Sequence, residues 1–435
     1  MPFRKKQTSF GIVGVATIGL SALVTGCGSQ STGNSTGTTS TSGQKIHLTM
    51  TVWGSTLDTK TYQERVDLYT KLHPNVTITV KNLPKYDQQV ETMIAGGDAP
   101  DIMAVSQDAV GFGQEGAVLN LTPYIKQAGM NLNSIYEPGY LGEYQYQGQQ
   151  YGLPDRGGYI ITYYNKDMFK KAGLTDPTNG WTWNQFLTDA KKLTITNGGK
   201  TTQWGFAGGT WWPVYGSFVQ ENGGKILNSS LNQSELGSSA TQNALTWVNN
   251  LSYKWHVAPT TVQYANMGSG VTGDELFGQG KVALLTTGFW DIASYVQDKI
   301  NFGIAPMPVG KQGGMETVGT GLAVCAKSKY PQVAFQVLEF LESKAGQAPI
   351  VQNGEDVPAT KAGMAMWIKS LPKSVSFSSL QSAQSDVFSP QIPPQWNQLQ
   401  TSLSNDLTPF FNGEKSLNSI LSKTNSDVNS LVGGN

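Results

Sequence analysis

The sequence predicts a layered α/β protein, and three segments near its start carry that prediction. Residues 46–53, 76–80 and 102–105 are apolar and rich in side chains that favour strands. Between them, apolar residues recur at helical spacing. Because the order strand–helix–strand–helix–strand favours parallel pairing with right-handed crossovers, we expect a parallel sheet with helices packed on its faces.

The two helices of this region are predicted from apolar residues three and four positions apart. In the first helix these residues are Tyr62, Val66, Tyr69 and Leu72, and Pro74 follows as a breaker. In the second helix they are Tyr86, Val90, Met93 and Ile94. Gly96 and Gly97 then end the second helix, because glycine readily takes the left-handed conformation of a C-cap.

Further strands are predicted later in the chain, at residues 282–285, 302–305 and 321–324. Pro331 then opens a helix with a wide apolar face. The C-terminal part of the chain has a polar, helical pattern. The α/β alternation therefore continues well beyond the first sheet.

Length and composition restrict the class of protein. A chain of 435 residues suggests two or three domains at ~150 residues each. The 30 Lys and Arg residues balance the 30 Asp and Glu residues, so no basic surplus is present to bind a phosphate backbone. Hydrophobic residues at 38% and 11 Trp supply enough apolar surface for a core. These numbers argue against a nucleic-acid partner and exclude wholesale disorder.

The surface is expected to be rich in amides rather than in charges. Only 14% of the residues are charged, and 32 Gln stand against 13 Glu. An amide keeps its charge state as the pH falls, whereas carboxylate-dependent folds lose stability in acid. We therefore expect the protein to work in an acidic external medium.

The first residues resemble the signal peptide of a bacterial lipoprotein. Arg4, Lys5 and Lys6 precede an apolar stretch at 10–24, which is shorter than the ~20 residues that a membrane-spanning helix needs. The sequence Leu-Val-Thr-Gly-Cys follows and ends at Cys27, which is similar to a lipobox. The alternatives are an ordinary signal peptide or a membrane anchor that happens to contain a cysteine.

This resemblance implies that residues 1–26 are removed and that Cys27 is lipidated. Two or three acyl chains bury enough methylene groups to hold a protein on a membrane. Residues 27–45 are small and polar, which is typical of a flexible tether. We expect the folded part to face outward from the cell membrane of a bacterium with a single membrane.

The sequence carries no pattern of a metal site, a disulfide or a hydrolase. Cys325 lies in an apolar run without a free cysteine partner, so we expect a buried, unreactive thiol. The histidines His47, His73 and His256 are scattered, and no HExxH or Walker motif occurs. We expect no cofactor, no metal and no catalysis.

Several ordered segments resemble the family-1 extracellular solute-binding proteins of ABC importers, of which the maltose-binding protein is the best known. The similarity runs from Ile46 to about Leu421. Each segment is weakly specific alone, but their joint order after a lipobox is specific. The segments are YTKLHPNVTITV at 69–80, AGGDAPD at 95–101, YGLP at 151–154, YNKD at 164–167, AGL at 172–174, WTW at 181–183, FGQGKVA at 277–283, GFW at 288–290 and APMP at 305–308.

The resemblance implies a type II periplasmic-binding-protein-like fold, in which two α/β lobes enclose a ligand cleft. Because the chain of such proteins crosses the hinge more than once, we expect lobe one to hold residues 46–157 and 316–366. Lobe two is expected to hold residues 158–315 and 367–435. Small-molecule clefts favour domain interfaces and the carboxyl ends of parallel strands, which agrees with this picture. Closure of the two lobes about the hinge would then hold the ligand.

The resemblance also implies a function. A monomeric protein of this family captures a sugar or oligosaccharide by lobe closure and delivers it to the permease subunits of an ABC importer. One alternative is the same fold binding a different solute, such as a metal or a polyamine, and another is an exported glycan-acting hydrolase. The surplus of tryptophan favours carbohydrate, and no spacing marks the carboxylate pair that glycosidases need.

A sugar site needs aromatic platforms and polar side chains, because sugars present C–H faces and paired hydroxyls. The resemblance places Asp108, just past the strand at 102–105, at the position of a ligand-binding carboxylate. It places Trp290 at the position of a stacking indole. The alternatives are that Asp108 caps the segment at 109–113 and that Trp290 packs in the core. Val105 stands where maltose-binding relatives have an aromatic residue, which argues against a maltodextrin-type ligand.

Eight further residues are candidates for the wall of the cleft. For the tryptophans the alternative is core packing, for Asp58 a solvated loop, and for Asp155 and Arg156 an ion pair at the hinge. The eight candidates are Trp53, Asp58, Asp155, Arg156, Tyr159, Trp211, Trp212 and Trp396.

Overall fold

A computed structural model describes residues 44–137, 139–354 and 356–433. The predicted signal peptide, the lipidation of Cys27 and the tether up to residue 43 lie outside these residues. The folded part is described from Gln44 onward.

Strands and helices alternate along the described chain. Its strands are β1 (Ile46–Val52), β2 (Val76–Asn82), β3 (Ile102–Val105), β4 (Gln145–Tyr146), β5 (Gln149–Gln150), β6 (Leu153–Tyr159), β7 (Ile161–Asn165), β8 (Ile195–Asn197), β9 (Lys200–Ala207), β10 (Val282–Thr287), β11 (Phe302–Ala305), β12 (Met315–Val324) and β13 (Val387–Phe388).

The helices cover the faces of the sheets and form the C-terminal part. They are α1 (Thr56–Leu72), α2 (Tyr86–Gly96), α3 (Ala109–Gln114), α4 (Thr122–Gln127), α5 (Leu132–Ile135), α6 (Lys166–Ala172), α7 (Trp183–Leu193), α8 (Trp212–Glu221), α9 (Ser239–Tyr253), α10 (Thr261–Met267), α11 (Gly273–Gly278), α12 (Ile292–Gln297), α13 (Pro331–Leu341), α14 (Lys344–Asn353), α15 (Lys361–Ser370), α16 (Ser378–Ser382), α17 (Trp396–Phe411) and α18 (Leu417–Val432). Short 3-10 helices occur at Gly142–Tyr144, Phe289–Asp291 and Gln384–Asp386.

The first sheet is built around the three strands predicted at the start of the chain. Its order is β13-β12-β3-β1-β2, and β6 also pairs with β12. Strand β1 runs parallel to β2 and to β3, as the sequence pattern predicts. Strand β12 runs antiparallel to β3 and to β6. Leu48, Met50 and Met103 are buried in its core, against which the apolar face of α13 packs.

The second sheet has the order β11-β7-β10-β9-β8. Strands β9 and β10 are parallel neighbours, whereas β7 runs antiparallel to both β10 and β11. Phe169, Phe186 and Phe206 are fully buried in the core on one of its faces. The parallel pair β9 and β10 therefore brings two carboxyl strand ends to the same edge, as β1 and β3 do in the first sheet.

The chain passes between the two sheets at two places. Strand β6 belongs to the first sheet and β7 to the second, and only Ile160 separates them. The return runs from β11 to β12 through residues 306–314. These crossings lie close to the predicted limits at 157 and 315, although the extent of each lobe stays a prediction.

Most of the predicted elements are present. Helix α2 ends as expected at Gly97, which has a φ of 82°, and Pro331 is the first residue of α13. Cys325 is buried, as expected. In the part of the chain that the structure describes, no helix is both long and apolar enough to cross a membrane.

Candidate functional site

The candidate site is a cleft of about 590 Å³ at the carboxyl ends of strands from both sheets. Trp53 follows β1, Ser106 and Gln107 follow β3, Trp211 follows β9, and Trp290 follows β10. The lining residues are Trp53, Gly54, Asp58, Tyr86, Asp87, Ser106, Gln107, Arg156, Gly157, Trp211, Trp290, Val318, Gly319, Thr320 and Asp356.

Two pairs of aromatic rings line the cleft, one beside each sheet. The Trp53 and Tyr86 rings meet edge-to-face with centroids 4.8 Å apart. The Trp211 and Trp290 rings meet in the same way at 5.7 Å. Trp211 is 43% exposed and Trp290 36%, which is unusual for indole rings in a protein with so large a core. Their faces are therefore available to a solute.

Asp58 and Arg156 form an ion pair in the wall of the cleft. Asp58 lies in the first turn of α1, where it also completes a capping box with Ser55. Arg156 comes from β6, and its guanidinium lies 5.1 Å from the centre of the Tyr62 ring. The pair thus joins the first turn of α1 to the strand that leads to the second sheet.

A second ion pair lies beneath the first and is fully buried. Arg65 Nη2 donates to Asp155 Oδ1 at 2.5 Å, and Tyr62 Oη donates to Asp155 Oδ2 at 2.7 Å. Burial opposes ionisation of Asp155, but the charge and hydrogen bonds of Arg65 hold the pKa of this carboxyl below its ordinary value. Asp155 therefore takes part in a structural network and does not line the cleft.

Asp108 lies directly behind the cleft wall that Ser106 and Gln107 form. It is 7% exposed, and its Oδ1 accepts a hydrogen bond of 2.7 Å from the Ser106 amide. Its side chain makes no capping hydrogen bond to α3. Burial raises the pKa of Asp108 to about 6, the Ser106 amide opposes that rise, and the charge of Asp87 adds to it. Contact between Asp108 and a ligand stays a prediction.

A third carboxylate in the cleft wall is Asp356. Its Oδ1 accepts a 2.7 Å hydrogen bond from the Val357 amide. Burial raises the pKa of Asp356 to about 6, and the charge of Arg156 opposes that rise. Asp58 and Asp356 thus lie close to the Arg156 guanidinium, and Asp87 adds a further carboxylate to the lining of the cleft.

The structure brings together five of the ten predicted residues in this cleft, namely Trp53, Asp58, Arg156, Trp211 and Trp290. The other five do not line it. Tyr159 and Trp396 are almost fully buried, and Trp212 packs edge-to-face on Trp396 at 4.8 Å. Of the adjacent pair, Trp211 is 43% exposed and Trp212 is 7% exposed.

Several lining residues were not predicted from the sequence. Tyr86 is part of the apolar pattern of α2, which the sequence gives a core role, yet it also faces the cleft as the first residue of that helix. Gln107 neighbours Asp108, so its position was close to the prediction. Asp356 follows α14 in a loop, and nothing in the local sequence distinguishes it.

The chemistry of the cleft suits a polar, largely uncharged solute with apolar faces. Indole and phenol rings can stack on C–H groups, and the carboxylates, the guanidinium and the amide of Gln107 can bind hydroxyls. Among the residues that the structure describes, no group of three His, Cys, Asp or Glu side chains is arranged to hold a metal ion. The lining of the cleft thus offers surfaces for stacking and groups for hydrogen bonding.

Comparison with known proteins shows which family this chain matches. A model of the family described as bacterial extracellular solute-binding protein matches residues 53–348. The chain is 27% identical over 326 residues to the maltodextrin-binding protein MdxE of Bacillus subtilis, covering 70% of this chain and 72% of that one. It is 23% identical over 376 residues to a galactooligosaccharide-binding protein of the same organism, covering 83% and 82%.

Solved structures confirm the predicted fold class. An ABC substrate-binding protein from Listeria monocytogenes, solved in complex with cycloalternan, superposes with a TM-score of 0.79 at 24% identity, covering 90% of this chain and all of that one. A further structure, titled CpMnBP1 with mannobiose bound, gives a TM-score of 0.75 at 21% identity, covering 88% and 100%. Both show a shared fold.

Proposed function

Because this chain belongs to the bacterial extracellular solute-binding protein family, we propose that it captures a sugar or oligosaccharide and delivers it to an ABC importer. Relatives named for maltodextrin and galactooligosaccharide binding support this solute class. Val105 alone does not argue strongly against a glucan, since a maltodextrin-binding protein is among these relatives.

The single observation that carries the proposal is the pairing of aromatic rings in one cleft. Trp53, which follows β1, pairs with Tyr86, the first residue of α2, and Trp211 pairs with Trp290 beyond the ends of β9 and β10. A sugar ring between such platforms would bury its C–H faces on both sides. Asp58, Asp87 and Arg156 line the same cleft and would bind its hydroxyls.

The proposed mechanism is lobe closure without chemistry. Lobe one would comprise residues 46–157 and 316–366, and lobe two residues 158–315 and 367–435. A sugar that contacts both lobes favours the closed state by its differential contacts. The closed form would dock on the permease, and the protein would release the sugar unchanged.

The proposed location is the outer face of the cell membrane. A lipid on Cys27 would anchor the chain, and residues 28–45 would act as a tether of small polar residues. We propose that the protein acts there as a monomer, with the permease as its macromolecular partner and with no role for nucleic acid.

The test is a sugar titration of the full chain, purified in detergent and followed by tryptophan fluorescence. Since Trp211 and Trp290 are partly exposed, ring stacking should change the emission in a saturable way. Chromatography of the sugar after long incubation should show it intact. If no sugar in the tested panel binds, the proposed solute class is refuted. The appearance of a shorter product would indicate a hydrolase.

A further inference from the structure

The segment that brings Trp290 to the cleft is held at several points. It is the short 3-10 helix Phe289–Asp291, which follows Gly288 after β10. Tyr163 of β7 donates a hydrogen bond of 2.7 Å to the Gly288 carbonyl, and Phe289 is buried. The Trp290 ring folds back over Gly288, since a Cβ added to that glycine would overlap the ring. The position of the ring therefore depends on how firmly this segment is fixed.

A pair of aspartates fixes the far end of the segment. A side-chain hydrogen bond joins Asp291, its last residue, to Asp274 in the first turn of α11. Asp274 Oδ1 and Asp291 Oδ2 are both buried, and neither has an N–H or hydroxyl partner in the described part of the chain. Because an ionised carboxylate can only accept, the two side chains form this hydrogen bond only when one of them carries a proton. Asp274 and Asp291 therefore share a proton.

The surroundings of the pair favour the retention of this proton. Both aspartates are half-buried, and the groups that face them are phenols, namely Tyr163, Tyr264 of α10 and Tyr295 of α12. Burial raises the pKa of each phenol, and the charge of the pair adds to the rise. Tyr295 also donates a hydrogen bond of 3.0 Å to the Asp274 backbone carbonyl. Among the described residues, no Lys, Arg or His offsets the charge that ionisation of Asp291 would add.

The pair keeps its proton up to mildly alkaline pH. Burial raises the pKa of Asp291 to about 8, and the charge and the hydrogen bond of Asp274 add to the rise. Above that pH, two negative charges face each other and the hydrogen bond between them is lost. The segment is then held only through Gly288 and Phe289, at the other end from the pair.

We propose that Asp274 and Asp291 are positioning residues for sugar binding, because the proton that they share holds the Trp290 ring in the cleft. Neither aspartate lines the cleft, so both act through the ring. This inference rests on the proposed function and adds a pH range to it. Capture of a sugar should be strongest in acidic and neutral media, which agrees with the acidic external medium predicted from the composition.

The first measurement needs no sugar. The full chain is labelled with 5-fluorotryptophan, and the Trp290 resonance in the fluorine NMR spectrum is identified by its absence in Trp290→Phe. This resonance should shift or broaden with a midpoint near pH 8. In Asp291→Asn, an amide donates to Asp274 at every pH, so the resonance should stay the same between pH 6 and pH 9.

The matched control is Asp298→Asn, because Asp298 is an exposed aspartate at the other end of α12. It should show the same titration of the Trp290 resonance as the parent. Asp274→Asn places the amide donor on the opposite side of the pair and should abolish the titration as Asp291→Asn does. It replaces Asp291→Asn if unfolding midpoints show that variant to be misfolded.

The second measurement is the dissociation constant of a bound sugar at pH 6 and pH 9, by calorimetry. At pH 9 about a tenth of the molecules keep the shared proton, so the parent and Asp298→Asn should bind about tenfold more weakly than at pH 6. Asp291→Asn should escape this loss, whereas Asp291→Ala, which cannot donate, should bind weakly at both pH values. Other carboxyl groups near the cleft titrate in the same range, so the difference between the parent and Asp291→Asn is decisive.

Two results would overturn the role of the aspartate pair and leave the proposed function intact. One is a Trp290 resonance that does not respond to pH, or that responds equally in Asp291→Asn. The other is an affinity of Asp291→Asn that falls with pH as the affinity of the parent does. Failure of the parent to bind any sugar at pH 6 would instead overturn the proposed function.

Discussion

Single aromatic side chains decide how the cleft recognises a solute. Of the adjacent tryptophans at 211 and 212, the first lines the cleft and the second packs on Trp396. Trp290 lies in the short 3-10 helix that follows β10, and it is 36% exposed. These two exposed indoles are the platforms whose removal tests the site.

Replacing Trp290 by Ala should weaken sugar binding by about 1–3 kcal/mol, because a stacking surface is lost while the fold is retained. The measurement is the dissociation constant by calorimetry. Leu72→Ala is the control, since Leu72 is 67% exposed at the far end of α1. An unchanged dissociation constant for Trp290→Ala would contradict its role in the site.

Buried charge near the predicted hinge is the second feature at the scale of single residues. Replacing Asp155 by Asn should destabilise the fold by about 3–5 kcal/mol, because Arg65 would keep a buried charge without its partner. Urea unfolding measures this loss. Because the pKa of Asp155 lies below the ordinary 3.8, the stabilisation is present above that pH and is lost as the pH falls through the lowered value.

The control for this prediction is the exposed ion pair of Lys60 and Glu64. Its side chains are 63% and 42% exposed, so Lys60→Met should change stability by less than about 1 kcal/mol. If Asp155→Asn were no more harmful than Lys60→Met, the buried network would not be a stabilising feature of the hinge.

The sequence predicted the strand ends of the site better than the orientation of its side chains. Trp53 and Trp290 lie where a predicted strand ends, and this can be read from apolar runs and glycine turns. Trp211 follows β9, which the sequence pattern did not predict. Whether a ring at such a place faces solvent or core depends on helices that arrive from distant parts of the chain. Trp396 is an example, since α17 buries it against Trp212.

At the scale of elements, the close approach of β6 and β12 shapes the hinge. Gly157 has a φ of 115°, and a Cβ there would lie 2.5 Å from Gly319 Cα. Both the backbone angle and the lack of space therefore require glycine at this position. The cleft wall is formed by this backbone, since Gly157 and Gly319 both line it.

Gly157→Ala should destabilise the protein by more than the ~1 kcal/mol expected from a positive φ alone. Gly116→Ala provides the comparison, because Gly116 also has a positive φ of 73° but open space around its Cα. Thermal unfolding of both variants separates the clash from the conformational effect. Equal losses would show that β6 and β12 can move apart easily.

Two of the strands that the sequence analysis missed have a weak pattern. Strand β6 contains Pro154, Gly157 and Gly158, so it has few side chains that favour strands. Strand β9 starts with polar residues and becomes buried only from Trp204 onward. By contrast, β1 to β3 and α13 were predicted because their apolar residues follow the period of the element.

At the scale of the whole molecule, buried carboxyl groups link stability to pH. Glu143 is 2% exposed and lies against Thr317 and Gly319 of β12. Burial raises its pKa from 4.5 to about 8, although hydrogen bonds from Thr317, Gly319 and Gln107 oppose that rise. Burial also raises the pKa of Glu316, and the charge of Glu143 adds to the effect.

Because the pKa of Glu143 is higher in the folded protein than its ordinary value of 4.5, its protonated carboxyl contributes fully to stability below pH 4.5. This contribution is lost as the pH rises towards 8. The stability that Glu143→Gln gains over the parent protein should therefore be larger at pH 8 than at pH 5, by at least the ~1.4 kcal/mol that one pKa unit represents. Urea unfolding at both pH values measures the difference. This sign agrees with the acidic external medium predicted from the amide-rich composition.

Glu115→Gln is the control for the pH experiment, because Glu115 is exposed at the end of α3. It should leave the pH dependence unchanged. If the effect of Glu143→Gln on stability were equally independent of pH, ionisation of the Glu143 carboxyl would cost the folded protein little free energy. The predicted preference for an acidic medium would then need another explanation.

The buried thiol of Cys325 has a consequence for maturation. It is the one cysteine in the part of the chain that the structure describes, and burial raises its pKa, which keeps it protonated. The described residues therefore cannot form a disulfide among themselves. If the chain is exported as proposed, the folding of this part of it requires no oxidation of thiols, and a cysteine engineered on its surface would be the preferred target of a maleimide probe.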